Sequence, residues 1–198
     1  MEKKKKSGRP RTFQREETIA LAMENYWLEG LHSLSVNEIC RRANMSKPSM
    51  YREFGGEDGL LNAVLEYYAA TVIAPMAEFV SPDRSFTENT RRLITFITSS
   101  ARHHRGCLFV KMRSSLERVG PQTKARIEAM TLGTQKAYEA MFLRAKALGE
   151  VRDGISPQLA AEYIDTQVSL VLHLIATTER PDDVRALGLL AMEALLAR

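Results

Sequence analysis

Residues 35–54 read SVNEICRRANMSKPSMYREF, and this stretch decides the fold. Ser35 and Glu38 stand at the spacing of a capping box, with Leu34 and Ile39 in the two staple positions around it, so a short helix begins at Val36. Asn44 tolerates the left-handed conformation that a tight turn between helices needs. Met45 and Ser46 then repeat the start signal, with Ser46 as N-cap and Met45 and Met50 as a second staple. Pro48 falls in the first turn, where its missing N–H would have had no intrahelical partner. The second helix runs to about Phe54, and Gly55-Gly56 ends it. Two short helices joined by a three- to four-residue turn form a helix-turn-helix, whose second helix enters the major groove of DNA. Ile39, Cys40, Ala43, Met45 and Met50 supply the small apolar packing that fixes the crossing. Ordinary helical hairpins share this spacing, so the charge around it matters.

The chain carries a net charge of +4, and all of it lies at one end. Residues 1–56 hold 11 Lys/Arg against 7 Asp/Glu, while residues 57–198 hold 17 of each. Such asymmetry suggests an N-terminal segment that faces a polyanion. Other helices are expected to begin with acids, Glu16 and Glu17, Glu38, or Glu57 and Asp58, where the macrodipole favours them. The helix after Ser46 begins with Lys47, a cation beside orphan N–H groups, which is unfavourable by a few tenths to about 1 kcal/mol until an anion arrives. A DNA phosphate is such an anion.

Working outward, Ile19, Ala22, Met23, Tyr26 and Trp27 recur at helical spacing, so about 13–29 is an amphipathic helix. Leu60, Leu61, Val64, Leu65 and Tyr68 mark a fourth helix reaching Pro75, closed by Ser81-Pro82-Asp83. A fifth is expected from about 87 to 104, a sixth between Gly106 and Gly120-Pro121, and a seventh over 121–148. Ser156-Pro157 and Pro181-Asp182 open the eighth and ninth. No β-alternation is seen, and the fold class is all-α with nine helices. The 198 residues suffice for one sizeable core or two small ones. No apolar run approaches the roughly 18 residues that span a bilayer, and the KKKK at 3–6 precedes polar residues, so a cytoplasmic protein is expected. Cys40 and Cys107 are too few for a disulfide framework.

Residues 12–68 resemble the DNA-binding domain of the TetR/AcrR family of bacterial transcriptional regulators, through the run Ser35 to Phe54 and the long helix after it. The resemblance implies an all-α homodimer that binds a palindromic operator, usually as a repressor, and releases it when a small molecule enters the C-terminal domain. It implies a division into a basic arm (1–11), a helix-turn-helix domain (12–56) and a ligand-binding and dimerisation domain (57–198). Ser35 and Tyr51 match positions that hold phosphates; Lys47, Ser49 and Arg52 match exposed positions of the recognition helix. Arg52 has the fork to pair with guanine O6 and N7, and Pro48 could meet a thymine methyl or serve the helix alone. Arg9-Pro10-Arg11 resembles an arm that reaches a minor groove or the backbone, the alternative being a disordered solubilising tail. The family commonly has lysine where this chain has Glu57, and Glu57 with Asp58 is expected to repel the phosphates that such a lysine meets.

The C-terminal part should enclose an effector cavity, with Phe96, Phe109, Met112, Met130, Tyr138, Met141, Phe142, Tyr163, Gln167 and His173 as candidate lining, although Met and aromatics at this spacing commonly form core. The segment AEYIDTQVSLVLHLIA, 161–176, is apolar around much of its circumference and needs more than one partner. Ile164, Val168, Val171, Leu172, Ile175, Leu187, Leu190, Ala191 and Leu195 are therefore expected at a homodimer interface. Cys107 follows Gly106 at a helix start beside Arg105, where a thiolate could act as a sensor or the thiol could lie inert. His103 and His104 point apart and form no metal site. Phosphate loops, zinc signatures and nucleophile elbows are absent, so neither an enzyme nor a cofactor is expected. The rival reading is an all-α adaptor or sensor that has lost DNA binding.

Overall fold

The computed structural model describes residues 11–79, 81–101 and 103–197, and the side chains of 15–78 and of the later described residues. Among them are nine α-helices: α1 (Arg11–Glu29), α2 (Val36–Arg42), α3 (Lys47–Phe54), α4 (Glu57–Tyr68), α5 (Phe86–Ser99), α6 (Leu108–Arg113), α7 (Pro121–Ala147), α8 (Pro157–Leu174) and α9 (Pro181–Glu193). The expected helix count and all-α class hold. Arg9 lies outside the described residues, and of Arg11 only the backbone is described, as the first residue of α1.

The local signals act as the sequence suggests. Ser35 and Ser46 cap α2 and α3, accepting the N–H groups of Glu38 and Ser49, each at 3.3 Å. Asn44 takes φ 49° in the turn, and Gly55 closes α3 at φ 75°. The capping box, however, is only half made. Glu38 turns its carboxylate to Arg41 and Arg42, because two guanidiniums within one turn outbid a single backbone amide. Those hydrogen bonds hold Glu38 down to about 2.

Helix α1 starts two residues earlier than expected, which leaves Glu16 and Glu17 beyond its first turn. The fourth helix continues past Tyr68 as one π-helical turn (Ala69–Ile73) and a 3₁₀ segment (Ala74–Phe79). Pro75 has no N–H to donate, so the regular ladder cannot continue through it. Together Glu57–Glu78 make 22 residues long and apolar enough, by length and composition, to cross a membrane, a run that the sequence reading passed over. Here α4 lies in the core, with Leu60, Val64 and Leu65 buried between α1 and α7. The fifth helix ends at Ser99, and His103–Arg105 is a separate 3₁₀ turn.

Two packing layers position the functional parts. Helices α1 to α3 form a small bundle that closes on α4. Beyond it, α7 packs on α8, α8 on α9, and α5 on both α8 and α9. Trp27 ties the two together: its ring meets Tyr68 edge-on at 5.0 Å, and its indole N–H donates to the Gly106 carbonyl at 2.8 Å. Lys111 Nζ donates to the Trp27 carbonyl at 2.7 Å, and Arg105 pairs with Glu24 at 2.7 Å.

Candidate functional site

Helix α3 presents the predicted recognition face. Met50 and Phe54 are buried against the bundle, which turns Lys47, Pro48, Tyr51 and Arg52 to solvent and leaves Ser49 half-buried. Lys47 is the first residue of the helix, with Pro48 beside it in the first turn. Ser46 takes the Ser49 N–H on its hydroxyl and the Met50 N–H on its carbonyl, and Pro48 has none to offer, so the start of α3 is capped and Lys47 stands exposed beside it. Ser35, the cap of α2, is exposed as well.

The serines organise this face. Ser46 Oγ donates to Ser49 Oγ at 2.9 Å, and Arg52 Nη2 donates to the same oxygen at 3.2 Å. Ser49 can accept from Arg52 and still offer its hydroxyl proton. Arg52 is held by one nitrogen while the rest of its fork stays exposed. An open cleft beside this face is lined by Arg15, Asn44, Met45, Ser46, Ser49, Arg52 and Glu53. Arg15 lies over the Phe54 ring, 5.3 Å from its centre, and pairs with Glu53 at 3.4 Å. The sequence reading did not single out Arg15, whose charge in α1 gave no hint that it reaches α3.

The acids after α3 do not behave alike. Asp58 is turned away from the exposed face of α3: its carboxylate accepts the N–H groups of Gln122 and Thr123 at 2.9 and 3.1 Å, and the Thr123 hydroxyl at 2.7 Å. It caps α7. Burial raises its pKa, but the Thr123 hydroxyl and the amides outweigh that and hold it below the usual carboxylate range. A Cβ on Gly120 would lie 2.4 Å from the Asp58 carboxyl carbon, so that approach requires glycine. The expected repulsion thus loses Asp58 and rests on Glu57 alone.

On the C-terminal side an open groove of about 600 Å³ lies between the continuation of α4 and α7, with Ala74, Ala77, Gly133, Ala137, Ala140 and Arg144 exposed along it. Ala69, Ile73, Ala74, Met76 and Ala77 form one wall, Met130 to Arg144 the other, and Leu93 closes one side. Of the candidate lining, Tyr138 and Met130 are there. Phe96 instead meets the His103 ring at 5.2 Å, and Phe109 lies under the Arg113 guanidinium at 5.3 Å. Met112, Met141 and Phe142 are core residues, Phe142 packing edge-on against Phe86 at 6.1 Å. Tyr163 donates to the Ala191 carbonyl at 2.9 Å; Gln167 is half-buried and His173 exposed on α8. Large side chains fill the core, and five of the thirteen lining residues are alanines.

The expected interface set needs a similar correction. Ile164, Val168, Val171, Leu172, Ile175 and Leu195 are buried within the single chain, where α8 spends its broader apolar face on α5, α7 and α9. Leu187 and Leu190 are 45% and 64% exposed, Ala191 is half-buried, and Leu159 and Leu170 join them on the outer face at 58% and 42%. Cys107 is enclosed, accepts the Tyr68 hydroxyl at 3.4 Å, and has its thiol pushed up by burial. That environment stores a thiol, not a thiolate.

Residues 19–64 match the sequence profile of bacterial regulatory proteins of the tetR family. The transcriptional repressor BdcR of Escherichia coli K12 is 30% identical over 120 residues, 59% of this chain and 59% of that protein. The transcriptional activator FasR of Mycolicibacterium smegmatis is 27% identical over 155 residues, 72% of this chain and 69% of that protein. The match therefore spans about three fifths of one relative and about two thirds of the other. Among solved structures, a cysteine mutant of the TetR-family regulator CifR, complexed with 26 bp double-strand operator DNA, superposes with a TM-score of 0.77. It is 20% identical and covers 94% of this chain and 99% of that one; this likeness supports the fold.

Proposed function

We propose that this chain, which belongs to the bacterial TetR family, is a ligand-responsive transcriptional repressor that binds a two-fold symmetric operator in the cytoplasm as a homodimer. The observation that carries the reading is the exposed edge of α3: Lys47 at the helix start, with Arg52 and Ser49 beside it. Lys47, Ser35 and Tyr51 take backbone phosphates, which fixes register; Arg52 reads a base edge in the major groove, with Ser49 as a second donor and Pro48 beside it. The exposed leucines Leu159, Leu170, Leu187 and Leu190 make the dimer contact, a four-helix arrangement of α8 and α9 with their copies. Two recognition helices then stand about 34 Å apart, one turn of duplex. Arg9 and Arg11 extend the basic surface along the DNA.

Release follows from who touches whom. The cavity for the small-molecule effector is walled by the continuation of α4 and by α7, and Asp58 of α4 holds the first turn of α7. A ligand that spreads those walls shifts α4, on whose start α3 is packed. The shift changes the separation of the two α3 helices and so lowers affinity for the operator. The enclosed Cys107 offers this mechanism no reactive group.

An electrophoretic shift assay with the DNA beside the chain's own gene tests the reading. Retention of that fragment by the wild-type chain, lost in Lys47→Ala/Arg52→Ala, is expected. If the chain retains no fragment at low salt, the adaptor reading takes its place.

A further inference from the structure

The cavity beside α7 has one polar end. Met130, Gly133, Thr134, Ala137, Tyr138, Ala140 and Arg144 contribute from α7. From Met130 to Arg144 the helix rises about 21 Å, at roughly 1.5 Å per residue. The opposite wall offers Ala69, Ile73, Ala74, Met76 and Ala77, so the slot is predominantly apolar. Its volume of about 600 Å³ suits a drug-sized molecule.

Arg144 is the sole charged residue among the described lining, and its guanidinium makes no salt bridge or hydrogen bond with a described residue. It also borders a small recess that Arg84 and Glu150 share. There the Glu150 carboxylate accepts the Phe86 N–H at 2.6 Å, while Arg84 donates to the Glu78 carbonyl at 3.3 Å. In that recess two guanidiniums stand against one carboxylate, while the slot itself holds Arg144 as its charged group among the described lining. Midway along, Tyr138 keeps its hydroxyl proton, because burial holds its pKa well above the ordinary value. The slot therefore offers an apolar trough, a neutral hydroxyl and one guanidinium, with the Glu150 carboxylate of the neighbouring recess engaged by the Phe86 N–H.

We infer that the effector is an elongated amphipathic anion, an aliphatic chain ending in a carboxylate, whose chain lies along α7 and whose head group pairs with Arg144. This rests on the reading of the cavity as the effector site. The fork of Arg144 matches a carboxylate bidentately, and the apolar walls give an aliphatic chain nothing to leave unpaired. A cationic head group would meet Arg144 with like charge.

Calorimetry on the full chain with decanoate, decan-1-ol and decylammonium tests this. Decanoate is expected to bind at least ten-fold more tightly than decanol, with decylammonium weakest. Arg144→Ala, at an exposed position, is expected to cost decanoate at least ten-fold and to leave decanol unchanged; Arg144→Lys recovers part of the loss. Ala137→Trp, which fills the slot from an exposed position, weakens decanoate and decanol together. Equal affinity for decanoate and decanol, unchanged decanoate binding in Arg144→Ala, or no binding of any probe overturns the inference. The two readings separate cleanly. Probes that bind without anion preference yet release DNA sink the carboxylate assignment alone. A carboxylate that binds through Arg144 yet leaves DNA retention unaltered at saturation sinks the effector reading alone.

Discussion

Asp58 of α4 and Thr123 of α7 hold each other through two hydrogen bonds, from the Thr123 amide at 3.1 Å and from its hydroxyl at 2.7 Å, to one carboxylate oxygen. The other oxygen takes the Gln122 amide at 2.9 Å. Helix α7 begins with Pro121 and has no acidic residue in its own first turn. Its cap is borrowed across 64 residues of chain from the element that α3 packs on. A helix start that is stabilised by a distant carboxylate moves with it, which gives the proposed release mechanism its mechanical link.

Asp58→Ala should therefore destabilise the folded chain by about 0.5–2 kcal/mol, the usual cost of losing a cap. Denaturant unfolding checks it. A midpoint equal to that of the wild type would show the contact to be idle.

The same carboxylate makes stability depend on acid. Its folded pKa is depressed below 3.8, so the contribution is fully present above the unfolded value of about 3.9 and is lost as pH falls through the folded value. The melting temperature should drop through that window in the wild type, and Asp58→Asn should flatten this part of the curve. Parallel curves for the two proteins would rule Asp58 out as a source of the acid sensitivity.

The ends of α2 and α3 were legible because capping is local chemistry: Ser35, Asn44, Ser46 and Gly55 act within three or four residues of themselves. The π-helical turn before Pro75 was half legible, since the missing N–H marks where the ladder fails but not how the chain absorbs it. The role of Asp58 was invisible for a different reason. In sequence it is one more acid in a first turn, and only the fold brings the start of α7 to it. Tyr138 was found in the cavity wall, whereas Ala69, Ala74, Ala137 and Arg144 were not, because periodicity flags bulk and a cavity is made by its absence. Interface residues were misplaced for a related reason: α8 carries two apolar faces, and the larger one fills the chain's own core.

For the DNA face, Arg52→Ala should cost about 1–3 kcal/mol of affinity and relax selection at the base pair it reads, whereas Lys47→Ala should weaken all sequences alike and lower the salt slope by about one. Anisotropy titrations on matched and mismatched duplexes at several salt concentrations separate these. Identical behaviour of the two variants on every duplex would contradict the division of labour.

Deleting residues 1–11 should reduce the slope of log K against log salt, since six Lys/Arg lie in that segment. An unchanged slope would remove the basic arm from the interface.

Leu187→Glu/Leu190→Glu should give a folded monomer in sedimentation, because both side chains are largely exposed and their replacement spares the core. A dimer that survives both charges would place the interface elsewhere.

The central claim is that the cationic edge of α3, displayed twice by a dimer, reads duplex DNA. Hydroxyl-radical footprinting of the DNA beside the chain's own gene measures it most directly. The expected result is a protected site with two-fold symmetry, its halves about 34 Å apart, which vanishes with Lys47→Ala/Arg52→Ala and fades as salt rises. Uniform cleavage along every fragment at low salt, with the wild-type chain in excess, would contradict it.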